Sequence, residues 1–102
     1  MKAALVSMML LVPVAQADVI STCTKASEIG EKITTIRQSG VSLQEVSAAL
    51  METGDTPETR NVIRLARVVY DLPIGKTQAE KNTYITGVKD AFFQLCLKNE
   101  GM

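Results

Sequence analysis

Ser39-Gly40-Val41-Ser42-Leu43-Gln44-Glu45 ends one helix and begins another within seven residues. Glycine tolerates the left-handed backbone that closes a helix, so Gly40 reads as a C-terminal stop. Ser42 and Glu45 then have the capping-box form, in which hydroxyl and carboxylate each satisfy a backbone N–H that the first helical turn leaves without a partner. Upstream, Cys23, Ala26, Ile29, Ile33 and Ile36 recur at helical spacing, which predicts a first helix over about Ser21–Ser39. Downstream, Leu43, Val46 and Leu50 share a face and predict a short second helix ending near Glu52.

The same punctuation recurs along the rest of the chain. Thr53-Gly54-Asp55 breaks the second helix. Thr56-Pro57-Glu58 starts a third, with Thr as cap, Pro at the first helical position and an acid near the positive end of the helix dipole. That helix should run to about Asp71, because Pro73 biases Leu72 away from helical geometry and makes Leu72–Lys76 a loop. Thr77-Gln78-Ala79-Glu80 repeats the capping-box form, and Tyr84, Val88, Ala91, Phe92 and Leu95 line up as the apolar face of a fourth helix ending near Leu97. No window alternates with period two between hairpin turns. The predicted class is all-α, a small four-helix, roughly up-down bundle.

The N-terminus has the layout of an export signal. Lys2 is a minimal positive region, Ala3–Val14 is uncharged and apolar, and Ala15-Gln16-Ala17 offers small residues to a signal peptidase. Cleavage after Ala17 is expected, leaving residues 18–102 as a single helical domain. The apolar run is shorter than the roughly 20 residues that span a bilayer, so no stable membrane insertion is expected after cleavage. A domain of this size is marginal on its core alone, and Cys23 and Cys96, the two cysteines of an exported chain, read as a disulfide that ties one extremity to the other. Alternating helices put both cysteines at the same end.

Composition removes several functional classes. Lys+Arg and Asp+Glu balance at 11 each, so nothing draws in a polyanion, and nucleic acid is not an expected partner. The chain has no His, the commonest general base and metal ligand, and pairing both cysteines removes the thiolates that a zinc site would use. No glycine-rich phosphate loop, nucleophile elbow or calcium-loop spacing occurs. Nothing sets two of the glutamates apart for glycoside chemistry. No enzyme activity, metal or cofactor is expected.

Three features read as candidate binding surface. Arg60, Arg64 and Arg67 recur on the third helix, about 180° from the face carrying Val62, Ala66 and Val69, and form an outward cationic stripe suited to an acidic partner. Its plainer reading is a solvated face with Asp71 paired to Arg67 one turn away. Phe93 and Leu97 lie off the main apolar face of the fourth helix, four residues apart, and would anchor another protein if exposed. Their plainer reading is cover by the second helix or the C-terminal tail. Tyr70-Asp71-Leu72-Pro73 reads as a helix exit with Tyr70 in the core.

Arg37-Gln38-Ser39-Gly40-Val41-Ser42-Leu43 and Val69-Tyr70-Asp71-Leu72-Pro73, flanked by Cys23 and Cys96, resemble short exported two-cysteine helical proteins of proteobacteria and their phages. Members often carry Ala where this chain has Val69. The resemblance implies export, helices and the bridge, and brings no active site with it. The wider layout is similar to small acid-stress chaperones of the periplasm and to phage-encoded periplasmic inhibitors of cell-wall enzymes or DNA entry. The expected function is therefore a small periplasmic or secreted binding or regulatory protein of the phage or prophage inhibitor kind, acting by contact with an envelope protein. The alternative is a periplasmic acid-stress chaperone, in which carboxylate protonation would have to be the trigger because no His is present.

Overall fold

A computed structural model describes the backbone of residues 2–101 and the side chains of residues 17–101. Four helices follow in order, α1 (Lys2–Gln38), α2 (Leu43–Glu52), α3 (Pro57–Val69) and α4 (Gln78–Asn99), with no strand among the described residues. The expected leader cleavage after Ala17 concerns side chains that lie almost wholly outside the described ones. Instead of beginning near Ser21, α1 runs back to Lys2.

Each later helix starts where its cap predicts. Ser42, Thr56 and Thr77 have extended backbones, and their hydroxyls accept from the N–H of Glu45, Thr59 and Glu80 at 3.1 Å each. The reciprocal halves of the two capping boxes are not made as expected. Glu80 reaches back past Thr77 and accepts from the Lys76 N–H at 2.7 Å, tying the loop to the helix start. Gly40 closes α1 with φ of 89°, the left-handed stop that its position implies. At its far end α3 stops at Val69 with Tyr70 as cap, two residues before the expected Asp71.

Helices α1 and α4 form an antiparallel pair that carries most of the helix packing. Cys23 is bonded to Cys96 at one end of it, with a Cα–Cα distance of 5.3 Å, well within disulfide range. Helix α3 packs on the C-terminal part of α1, and α2 rests on α3. The core cluster is Ile33 of α1 with Ala66 and Val69 of α3, joined by the partly buried Leu43, Val62, Tyr70, Val88 and Phe92. Dimensions of 35 × 17 Å across the two shorter axes make the bundle flatter than a square packing of four helices. Few side chains are enclosed on all sides in consequence.

The inward face of α1 differs in part from the expected one: Cys23 and Ile33 are buried as expected and are joined by Ser27, Gly30, Thr34 and Gln38, while Ile29 is exposed and Ala26 and Ile36 are half-buried. Polar groups on that face are satisfied locally, since Ser27 Oγ donates to Thr24 O and Thr34 Oγ1 to Gly30 O, both at 2.7 Å. The small residues let α4 approach closely. A Cβ on Gly30 would lie 2.7 Å from Cδ2 of Phe92. On α4, Val88 and Phe92 pack on the core as expected, whereas Ala91 and Leu95 face solvent.

Candidate functional site

The outer face of α3 holds the cationic stripe. Thr56 caps the helix, Pro57 opens it, and Arg60, Arg64 and Arg67 follow on the side turned away from Ala66 and Val69, all three exposed. The stripe is not uniform. Arg60 grips Asp55 with two bonds, Nε to Oδ1 at 2.7 Å and Nη2 to Oδ2 at 2.9 Å. That guanidinium holds the Asp55 carboxyl below its ordinary range. Arg64 makes one long contact with the Asn61 side-chain oxygen at 3.4 Å. Neither Arg64 nor Arg67 has an acidic partner among the described residues, and the expected Asp71–Arg67 pair is not formed. Val68, 64% exposed, lies one turn beyond Arg64 on the same surface. An open hollow of about 420 Å³ borders this face, lined by Asp55, Thr56, Pro57, Arg60, Asn61 and Arg64.

Phe93 and Leu97 lie one turn apart on α4. Both are half-buried, and they border different hollows. Phe93 sits beside Thr24 and Ser27 of α1 as well as Thr86, Lys89 and Asp90, so α1 is its neighbour instead of the expected α2 or C-terminal tail. Leu97 shares its hollow with Ala91, Gln94, Leu95 and Lys98. Among the described residues at this end, Leu95 is the most exposed large apolar side chain, at 58%. The arginine stripe and this apolar end belong to different helices and different ends of α1, because α3 packs near Ile33 whereas the disulfide marks the Cys23 end.

Two stretches distant in sequence meet in one clasp. The Tyr70 hydroxyl donates to Val41 O at 2.8 Å, and the Arg37 guanidinium lies 5.1 Å above the Tyr70 ring. Arg37 Nε donates to Leu72 O at 3.1 Å. Gln38 closes the clasp on both sides, its Nε2 donating to Pro73 O at 3.0 Å and its Oε1 accepting from the Gly75 N–H at 2.7 Å. These are the two stretches quoted above, Arg37–Leu43 and Val69–Pro73. Tyr70 is half-buried, packs against the core cluster as expected and is hydrogen-bonded through its hydroxyl. Its bonds run to backbone groups, so the cluster positions loops and holds no reactive pair.

No family model, curated protein or solved structure matches this chain. Chemical capability must therefore be read from the groups themselves. Both cysteines are consumed in the disulfide, and among the described residues no cluster of three or more Cys, Asp or Glu side chains is arranged to hold a metal ion. No described helix is long and apolar enough to cross a membrane. The disulfide fits an oxidising extracellular or periplasmic compartment.

Sequence reasoning overlooked Gly30, Gln38 and Gly75. A glycine inside a helical pattern was the available signal for Gly30. Gly75 sits where a Cβ would lie 2.7 Å from Lys81 N, so the loop can press against α4 only with glycine there. Gln38 offered no signal, because a polar residue near a helix end is ordinarily solvated.

Proposed function

We propose that this chain is a small periplasmic protein that acts by binding another envelope protein through the outer face of α3, in the manner of a phage-type inhibitor. The observation that carries the reading is the exposed pair Arg64 and Arg67, without acidic partners among the described residues and beside the exposed Val68. Cations flanking an exposed apolar side chain suit a partner surface that is acidic at its rim and apolar at its centre. Phe93 and Leu97, half-buried on α4, are kept outside this surface. The leader-like N-terminus and the disulfide support export, and the resemblance to short exported phage-related proteins supports the inhibitor class. Crosslinking in periplasmic extract should return one dominant partner with the unaltered chain. The double variant Arg64→Glu/Arg67→Glu should lose it while keeping its helical circular dichroism. Equal capture by the two proteins, or no partner at micromolar concentration, overturns the reading.

The chaperone alternative has less support. Acid would have to act through the Asp55–Arg60 and Glu31–Lys89 ion pairs, and all four side chains are substantially solvent-exposed. Pairs of this kind contribute little to stability, so their loss is a weak trigger.

A further inference from the structure

We infer that the Cys23–Cys96 bond is a redox latch on the end of α4. A dithiol that reduces it frees residues 93–99 from α1 and bares apolar surface, while the remainder of the bundle stays folded. The core cluster lies on one side of this latch. Its α1 member is Ile33, its α4 members are Val88 and Phe92, and they meet Ala66 and Val69 of α3. Gly30, which faces the Phe92 ring, marks the boundary on α1. Beyond it toward the bond, the buried members among the described residues are Cys23 and Ser27. Val19, Ala26, Phe93 and Leu97 are half-buried there, and Ile20 and Leu95 are exposed. Cys23, Ala26 and Ser27 are small, so the helices run close together at this end while removing little apolar area from water, and stabilisation scales with that area. The Glu31–Lys89 ion pair between the two helices lies on the core side of the boundary. No described residue of α4 is fully buried, so the covalent bond, more than packing, keeps its end on α1.

Reduction proceeds by thiol–disulfide exchange. Cys23 is fully buried and Cys96 half-buried, so an incoming thiolate meets the Cys96 sulfur. A mixed disulfide forms there, and Cys23 leaves as a thiolate that takes up a proton. The second thiol of the reductant gives up its proton, attacks the reductant's own sulfur in the mixed disulfide and releases Cys96, which is protonated in turn. The dithiol is oxidised to a disulfide and the cystine is reduced to two thiols, a transfer of two electrons. With the tie gone, Phe93 leaves its place beside Thr24 and Ser27, and Leu97 goes with it. The core cluster loses no member, because its last α4 residue is Phe92. The inference is independent of what α3 binds.

Carbon chemical shifts of the full chain, recorded by NMR with and without dithiothreitol, test it. On reduction the Cα shifts of 93–99 should move from helical to coil values, while those of 30–38, 57–69 and 78–90 stay helical. Emission of an added apolar dye should rise several-fold as the released surface binds it. The double variant Cys23→Ser/Cys96→Ser should reproduce both changes without reductant. Helical shifts kept through 93–99 in the reduced chain overturn the inference. So do coil shifts in all four helices, which would make the bond a staple for the whole fold, and so does unchanged dye emission.

Discussion

Gly30 and Gly87 are both helical glycines, yet their surroundings give alanine opposite effects at the two sites. At Gly87 an added Cβ meets nothing within 4 Å, so Gly87→Ala should gain up to about 1 kcal/mol from helix propensity and reduced unfolded-state freedom. At Gly30 the same methyl would stand 2.7 Å from Cδ2 and 2.9 Å from Cγ of Phe92. Cγ is the root of the ring, so the whole side chain must move. Overpacking of this kind costs about 1–3 kcal/mol and outweighs the propensity gain, so Gly30→Ala should be net destabilising by about 1 kcal/mol. Urea denaturation of the two variants beside the parent chain checks both signs. The sequence marks both positions as glycine in a helix, but only the neighbour across the helix interface separates them.

At the scale of the element, the later helix starts and the faces of α2 and α3 were legible, while the faces of α1 and α4 were legible only in part. Ser42, Thr56 and Thr77 each cap the helix that their spacing announces, because a cap is a contact between residues two or three apart. Faces depend on what arrives from elsewhere. The large aliphatic residues Ile29 and Ile36 mark an apolar stripe on α1, yet the helix buries the smaller line of Ser27, Gly30 and Thr34 because the disulfide at Cys23 and the ring of Phe92 bring α4 down on that side. The end of α3 carries a pH prediction. Burial lifts the phenol of its cap, Tyr70, above its ordinary value near 10, with Arg37 pulling the other way and Glu45 adding to the rise. The folded state therefore holds that proton more tightly than the unfolded chain. This contribution to stability is complete below about pH 10 and is lost as pH rises through the folded pKa. Denaturation midpoints measured between pH 9 and 11.5 should fall for the parent chain, and part of that fall should vanish in Tyr70→Phe.

For the whole molecule the disulfide is the dominant constraint. It spans a sequence separation of 73 and joins the two helices that carry most of the packing. In the chain-entropy model, closing a loop of that length disfavours the unfolded state by about 4 kcal/mol, a large part of the 5–15 kcal/mol typical of a domain. Unfolding in the presence of a phosphine reductant should therefore show a markedly lower midpoint, with unfolding well below the transition of the oxidised protein. An unchanged midpoint would mean that the flat bundle holds itself without the bond. The chain alone determined its all-α class, its three later helix starts and the partnership of its two cysteines, since these follow from neighbouring residues or from a count with one solution. The close approach at Gly30 and the bonds of Gln38 to Pro73 and Gly75 were decided by tertiary packing. Each depends on which groups from distant segments come within bonding range, and helical periodicity within one segment holds no record of that.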